Sequence, residues 1–243
     1  MTELMLVSLA ATHDDFDLIL VDDHSDFDIP SVAERWGIKV LRWGNRANGP
    51  KGNTHTWNLA WQYALKQNYA YLIIANNDLL VADGTINALS RALGSGEWGA
   101  LIPKVSQRGS SYNYHSLKIR RGVVEPWTDQ PLHYQRVADA LYTAKPHIQD
   151  VTLTPHRMNG YFMAFNVKTF AEFQYDKNNQ MLFDPKKINI GNEDELFGRA
   201  YRKTKLGVHN NAFVFHFKGY TIGKHNRDAL KKRLGQRSPE LFG

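Results

Sequence analysis

The chain has 243 residues, enough for one large domain or two small ones, and its 42% hydrophobic and 22% charged residues exclude a disordered or fibrous chain. The absence of cysteine excludes a disulfide framework, a thiolate zinc site and a cysteine nucleophile. Of the formal net charge of +6, residues 224–243 carry +4, six basic side chains (Lys224, Arg227, Lys231, Lys232, Arg233, Arg237) against Asp228 and Glu240, so the rest is near neutral. No apolar run approaches the roughly 18 residues that span a bilayer, and no signal-peptide pattern opens the chain, so the expectation is a cytoplasmic protein.

In chain order, residues 2–12 space Leu4, Val7, Ser8 and Leu9 like a short amphipathic helix. Phe16–Asp23 (FDLILVDD) is a near-continuous apolar run ending in two carboxylates, which suits a strand buried on both faces. Pro30–Trp36 reads as a helix and Ile38–Leu41 as a strand, followed by a loop over 44–53 (GNRANGPKGN). Trp57, Ala60, Trp61 and Ala64 form one apolar stripe of a helix over 54–67, with Thr54 as its N-cap. The strand Tyr69–Ala75 stops at Asn76-Asn77-Asp78; a helix over 84–93 and a strand over 98–102 follow. Alternating strands and helices predict a mostly parallel central sheet with helices on both faces.

The rhythm is lost over 104–156, rich in Tyr, His, Arg, Gln and Pro. It returns with a strand over Gly160–Asn166, helices near 167–173 and 193–203, and the strand Ala212–Phe217. The chain reads as a single domain over 1–243: a first half over 1–103, a second over 104–223 and the basic tail over 224–243. That tail suits either a solvated helix or contact with a phosphate backbone, an anionic membrane or an acidic partner.

In open α/β sheets, ligands bind beyond the carboxyl ends of the strands. Two strands end there in oxygen-rich clusters, Asp22-Asp23-His24-Ser25 and Asn76-Asn77-Asp78. Asp and Asn also favour strand-ending turns for their own sake. Together the clusters point to an oxygen-ligand site for Mg²⁺ or Mn²⁺, which in turn would neutralise a phosphate ester. Asn192-Glu193-Asp194-Glu195 opens a helix, where acids also complement the macrodipole, and His216 lies in the apolar run AFVFHF, a setting that equally suits a core histidine.

The order of these motifs resembles that of the family 2 glycosyltransferases of the GT-A fold, over most of the chain. The matching segments are Val21-Asp22-Asp23-His24-Ser25, then Gly52 and Asn58 in GNTHTWNLAWQYA, then Asn76-Asn77-Asp78. Asn159-Gly160-Tyr161-Phe162-Met163 follows, then Phe183-Asp184 with Glu193-Asp194, and finally His216-Phe217-Lys218-Gly219. The resemblance implies an inverting, metal-assisted transfer from a nucleoside diphosphate sugar, expected to be a UDP-sugar, to an acceptor hydroxyl. Asp22, Asp23 and Ser25 would hold base and ribose, with Gly52, Asn58, Asn76, Asn77 and Gly160 lining the donor site. Asp78 and His216 would hold Mn²⁺ or Mg²⁺, and Asp194 would act as general base with Glu193 beside it.

Two features depart from the family pattern. Met1 leads straight into what reads as the first helix, so the family's opening strand is expected to be absent or replaced by another segment, and the triplet carries one acid where a DxD carries two. These departures motivate a second reading, a non-catalytic nucleotide- or sugar-binding module. For the acceptor, the expectation is a glycan or glycoprotein, met by residues 104–156 through Tyr112, Tyr114, Trp127, Tyr134 and Tyr142. Arg120, Arg121 and the basic tail leave nucleic acid with a modified base as the alternative.

Overall fold

The computed structural model describes residues 1–23, 25, 28–42, 52–106, 131–143, 145–187 and 191–217. Helix α1 (Thr2–Ala10) precedes strand β1 (Ile19–Asp22), α2 (Ile29–Arg35), β2 (Lys39–Arg42) and α3 (Asn53–Lys66). Strand β3 (Tyr71–Ala75) is followed after three residues by β4 (Leu79–Val81), then by α4 (Thr85–Gly94) and β5 (Trp98–Val105). The second half contributes α5 (Tyr134–Tyr142), β6 (Ile148–Asp150), β7 (Phe162–Asn166), α6 (Val167–Phe170), α7 (Asn192–Ala200) and β8 (Lys205–His216).

The strands form two sheets. One holds only β1 and β2, paired in parallel from Ile19↔Lys39 to Asp22↔Arg42. The other runs β3-β7-β5-β8-β4, with β6 added to β8. The α/β architecture with helices on both faces is as expected. The pairing is not mostly parallel, however. In the larger sheet β5–β8 is parallel, whereas β3–β7, β5–β7, β4–β8 and β6–β8 are antiparallel. A helical crossover enforces parallel pairing only between the strands it joins. Strand β7 instead enters between β3 and β5 in the opposite sense.

Alternation along the strands splits the core into two layers. Ile74, Ala100, Ile102, Met163, Phe165, Leu206 and Val208 face α3 and α7, where Trp57, Trp61, Leu196 and Phe197 meet them. Leu101, Val105, Phe162, Ala164, Ala212 and Val214 face α1 and α4, against Leu9, Ile86, Leu89 and Leu93. Phe213, Phe215 and Phe217 pack under Val137 and Ala138 of α5. Phe165, Phe170 and Phe197 meet with centroids 4.9–6.2 Å apart, which anchors α7 to the sheet. Each such buried side chain contributes about 1.5–3 kcal/mol, so the strand ends form a stiff platform.

Helix α3 packs on both sheets and spans the interval between β1 and β3. Its N-cap is Gly52, at φ 81°, rather than Thr54. A glycine tolerates that left-handed turn, and the Thr54 hydroxyl is released to bond elsewhere. His24, most of the loop over 44–53, Tyr112, Tyr114, Arg120, Arg121, Trp127, Lys218, Gly219 and the tail over 224–243 lie outside the described residues.

Candidate active site

At the end of β1, Asp22 is buried at 3% exposure. Its Oδ1 accepts the Ser25 amide at 2.9 Å, and its Oδ2 accepts Arg42 Nε at 2.8 Å in an ion pair that also brings Nη2 to 2.8 Å. Asp22 therefore closes the turn to Ser25 and grips its register partner on β2. The neighbouring Asp23 reaches across to α3, where its Oδ2 accepts the Gly52 amide at 2.7 Å. An acid at that place also complements the positive end of the helix.

The start of α3 is in turn fastened to the start of α7. Asn192 donates through Nδ2 to Thr54 Oγ1 and to the Lys187 carbonyl, both at 2.6 Å, and the Thr54 hydroxyl donates to the same carbonyl. The next residues, Glu193 and Asp194, open α7 behind Gly191, an N-cap at φ 85°. Asp194 is exposed, whereas Glu193 is partly buried and its Oε2 has no hydrogen-bond partner. Burial, with the nearby Asp194 charge adding to it, holds the Glu193 carboxyl above the usual range. Its other oxygen lies against Gly160, where a Cβ would come within 2.9 Å of Oε1 and 3.2 Å of Trp57 Cη2. A side chain there would require the Glu193 carboxylate and the Trp57 ring to give way.

Gly160 leads to Tyr161, whose carbonyl accepts the Asn76 amide at 2.9 Å. The Tyr161 ring lies 5.0 Å from that of His216, and burial pushes its phenol up. His216 Nε2 is 3.3 Å from Asp78 Oδ1, an oxygen with no hydrogen-bond partner. The amide of His216 donates to the buried Ser106 hydroxyl at 3.1 Å, and the Phe217 amide donates to the Asp78 carbonyl at 3.0 Å. The exposed Asn77 donates to Thr2 Oγ1 at 2.9 Å, so α1 begins beside the triplet.

One chain of contacts, running through Thr54, Asn192 and Tyr161, thus joins Asp22, Asp23, Ser25, Gly52, Glu193, Gly160, Asn76, Asp78 and His216, with the exposed Asp194 next to Glu193 in the chain. Asn58 stands apart from it. Its Oδ1 and Nδ2 bridge the amide and carbonyl of Phe183, each at 2.9 Å, and it is buried at 3% exposure. It holds the loop before α7 onto α3 instead of opening toward a donor. Sequence reasoning missed the roles of Arg42, Ser106, Tyr161 and the Thr54–Asn192 tie. Tyr161 and Asn192 stood inside recognisable motifs, but Arg42 and Ser106 carry no local signal. An open depression of about 370 Å³ lined by Glu97, Arg202, Lys203 and Lys205 sits at the opposite ends of β5 and β8 and holds none of the expected residues.

No protein-family model and no curated protein matches the chain. Solved structures do. S. aureus TarS 1–349 is similar at TM-score 0.58 and 12% identity, over 97% of this chain and 67% of that one. The same TarS segment in complex with UDP gives 0.55 and 13%. GalNAc-T7 with UDP, GalNAc and Mn²⁺ gives 0.53 and 17%, over 82% of this chain and only 37% of that one. The chain has the GT-A fold of the nucleotide-diphospho-sugar transferases. No helix among the described residues is long and apolar enough to cross a membrane.

Proposed function

We propose that the chain is an inverting glycosyltransferase that moves a sugar from a UDP-sugar to an acceptor hydroxyl with the help of Mn²⁺ or Mg²⁺. The observation that carries this reading is the Asp78 oxygen without a hydrogen-bond partner beside His216, linked through Tyr161 and Gly160 to Glu193, the residue before Asp194. The 3.3 Å between Asp78 Oδ1 and His216 Nε2 is close to the roughly 3 Å expected between adjacent ligand atoms around an octahedral cation with bonds of about 2.1 Å. No group of three or more such side chains gathers among the described residues, so diphosphate oxygens and water would complete the set. The complexes of TarS with UDP and of GalNAc-T7 with UDP and Mn²⁺ support the same donor class.

When bound, the cation offsets charge developing on the departing diphosphate. Asp194, exposed at the first turn of α7, takes the proton of the acceptor hydroxyl as its oxygen attacks the anomeric carbon. The bond from that carbon to the diphosphate breaks, UDP leaves, and the anomeric configuration inverts. Glu193 stands beside the base, its carboxyl held above the usual range chiefly by burial. The acceptor in this reading is a glycan or glycoprotein. Binding to DNA with a steep salt dependence would favour a nucleic acid instead.

Asp194→Asn should keep Mn²⁺-dependent UDP binding while transfer falls by about 10²–10⁴, the usual worth of a general base. Transfer at the wild-type rate would remove Asp194 from that role. UDP binding by the wild type with no product over long incubation, across a panel of sugars and acceptors, would favour the non-catalytic module.

A further inference from the structure

We propose that the depression at the start of β5 and β8 is a membrane-docking face, whose cations meet the headgroups of anionic lipids while Leu153 enters the acyl boundary. It is well separated from the candidate donor site. Strand β8 runs 12 residues from Lys205, at the depression, to His216, which is roughly 35 Å at about 3.3 Å per residue.

The cations come from the turn between α7 and β8. The amides of Lys203 and Thr204 donate to the Ala200 carbonyl at 2.9 and 3.1 Å, which closes the turn and leaves Arg202 and Lys203 exposed. Arg202 is steadied on Tyr201: its Nε donates to the phenol oxygen at 2.8 Å, and its guanidinium lies 5.4 Å from the ring centre. Lys205 is balanced by Glu97 at 2.7 Å and also feels Asp150. Arg202 and Lys203 have no acidic partner among the described residues, so two exposed cations stay uncompensated on the rim. Farther along this end of the larger sheet, exposed Lys66 precedes β3 and exposed Lys168 follows β7, with Glu172 four residues beyond.

Leu153 supplies the apolar part. The Thr152 hydroxyl accepts the Leu206 amide at 2.9 Å, and the Thr154 amide donates to the Val151 carbonyl at 2.8 Å. A tight turn on the rim therefore carries Leu153 at its tip. At 89% exposure it is the most exposed large apolar side chain among the described residues. A lone surface leucine is ordinary, but beside uncompensated cations it completes the pair of signals, charge and insertion, that holds a protein on anionic lipid. The side chains lining the depression are exposed or half-buried, so they do not enclose a free phosphate, and a nucleic acid backbone leaves the leucine unused. Docking by this end keeps the Asp78–His216 end of β8 away from the lipid.

The test is cosedimentation of the full chain with vesicles of phosphatidylcholine alone and of phosphatidylcholine mixed equally with phosphatidylglycerol. The wild type is compared with Arg202→Gln/Lys203→Gln, with Leu153→Ser, and with the tail variant Lys231→Gln/Lys232→Gln/Arg233→Gln. Expected are wild-type binding to the mixed vesicles, an affinity loss of about tenfold or more on removing Arg202 and Lys203, and a smaller loss on removing Leu153. Because the chain has no cysteine, Leu153→Cys takes a single spin label, whose exposure to a water-soluble relaxant should fall on the mixed vesicles. Absence of wild-type binding overturns the proposal, as does a label that stays in water on the bound protein. Binding that survives in both depression variants and is lost only in the tail variant assigns the lipid contact to the tail instead. Calorimetry with glycerol 3-phosphate and with a single-stranded oligonucleotide separates the other sources of phosphate. Tight binding of either that requires Arg202 and Lys203, in a protein that ignores the vesicles, makes the depression a site for that ligand and sinks the lipid assignment. None of these readouts involves sugar transfer, so the proposal and the donor reading fail separately.

Discussion

His216 Nε2 stands 3.3 Å from Asp78 Oδ1, two groups brought together because β4 pairs with β8 in a register that sets Leu79 opposite His216. The amide of Phe217 and the hydroxyl of Ser106 fix the main chain on either side. Asp78→Ala should therefore weaken Mn²⁺-dependent UDP binding by at least the roughly 10–100-fold that loss of an outer-shell partner costs a metal site, with a smaller effect when Mn²⁺ is left out. His216→Ala should move in the same direction. Titrations showing equal loss with and without the cation would argue against a metal at this pair.

The crowding at Gly160 makes a separate prediction. A methyl group there would press on Glu193 Oε1 and on the Trp57 ring, so Gly160→Ala should destabilise the fold by about 1–3 kcal/mol, as overpacking does. Adding Glu193→Ala should recover part of that loss by vacating the space. Urea unfolding of the two variants checks this. Two additive losses would show that the contact is unimportant.

Asn58 satisfies both main-chain groups of Phe183 inside the protein. Asn58→Ala leaves them unpaired and should cost about 1–3 kcal/mol for each group. Because the loop it holds leads to α7, transfer should fall more than UDP binding does. A variant as stable as the wild type in chemical denaturation would contradict this structural role.

His209 sits where the register of β5 against β8 jumps, between the Pro103↔His209 and Lys104↔Phe213 pairs. Its Nδ1 accepts the Asn211 amide at 3.2 Å, and burial, helped by the Arg91 charge, pushes its pKa down to about 4. In the unfolded chain the imidazole protonates near its ordinary 6.5. Between those values the unfolded state binds more protons, so stability falls as pH drops from 6.5 toward 4 and is complete above 6.5. His209→Gln should flatten that decline in thermal melts taken across the interval. An unchanged slope would show that other groups set it.

Much of the scaffold was legible where a periodic stripe met a clear boundary. Trp57, Ala60, Trp61 and Ala64 marked α3, and the motif order marked the candidate site. The first half of β8 escaped because Gly207, His209, Asn210 and Asn211 break its apolar run, while β5 and β6 on either side supply the burial. Helix α5 was hidden by its polar face, since Val137 and Ala138 are its buried residues. The grip of Asp22 on Arg42 depends on strand register, which no local pattern encodes. The same limit hid the sense in which β7 enters its sheet.

The fastening of Thr54 to Asn192 leaves the two ends of the candidate cleft mechanically dependent on one another. Helix α3 begins behind Gly52, which is bonded to Asp23, and α7 carries Asp194 in its first turn, yet a buried knot of side chains ties those two first turns. A shift of the first turn of α3 would therefore bear directly on the first turn of α7.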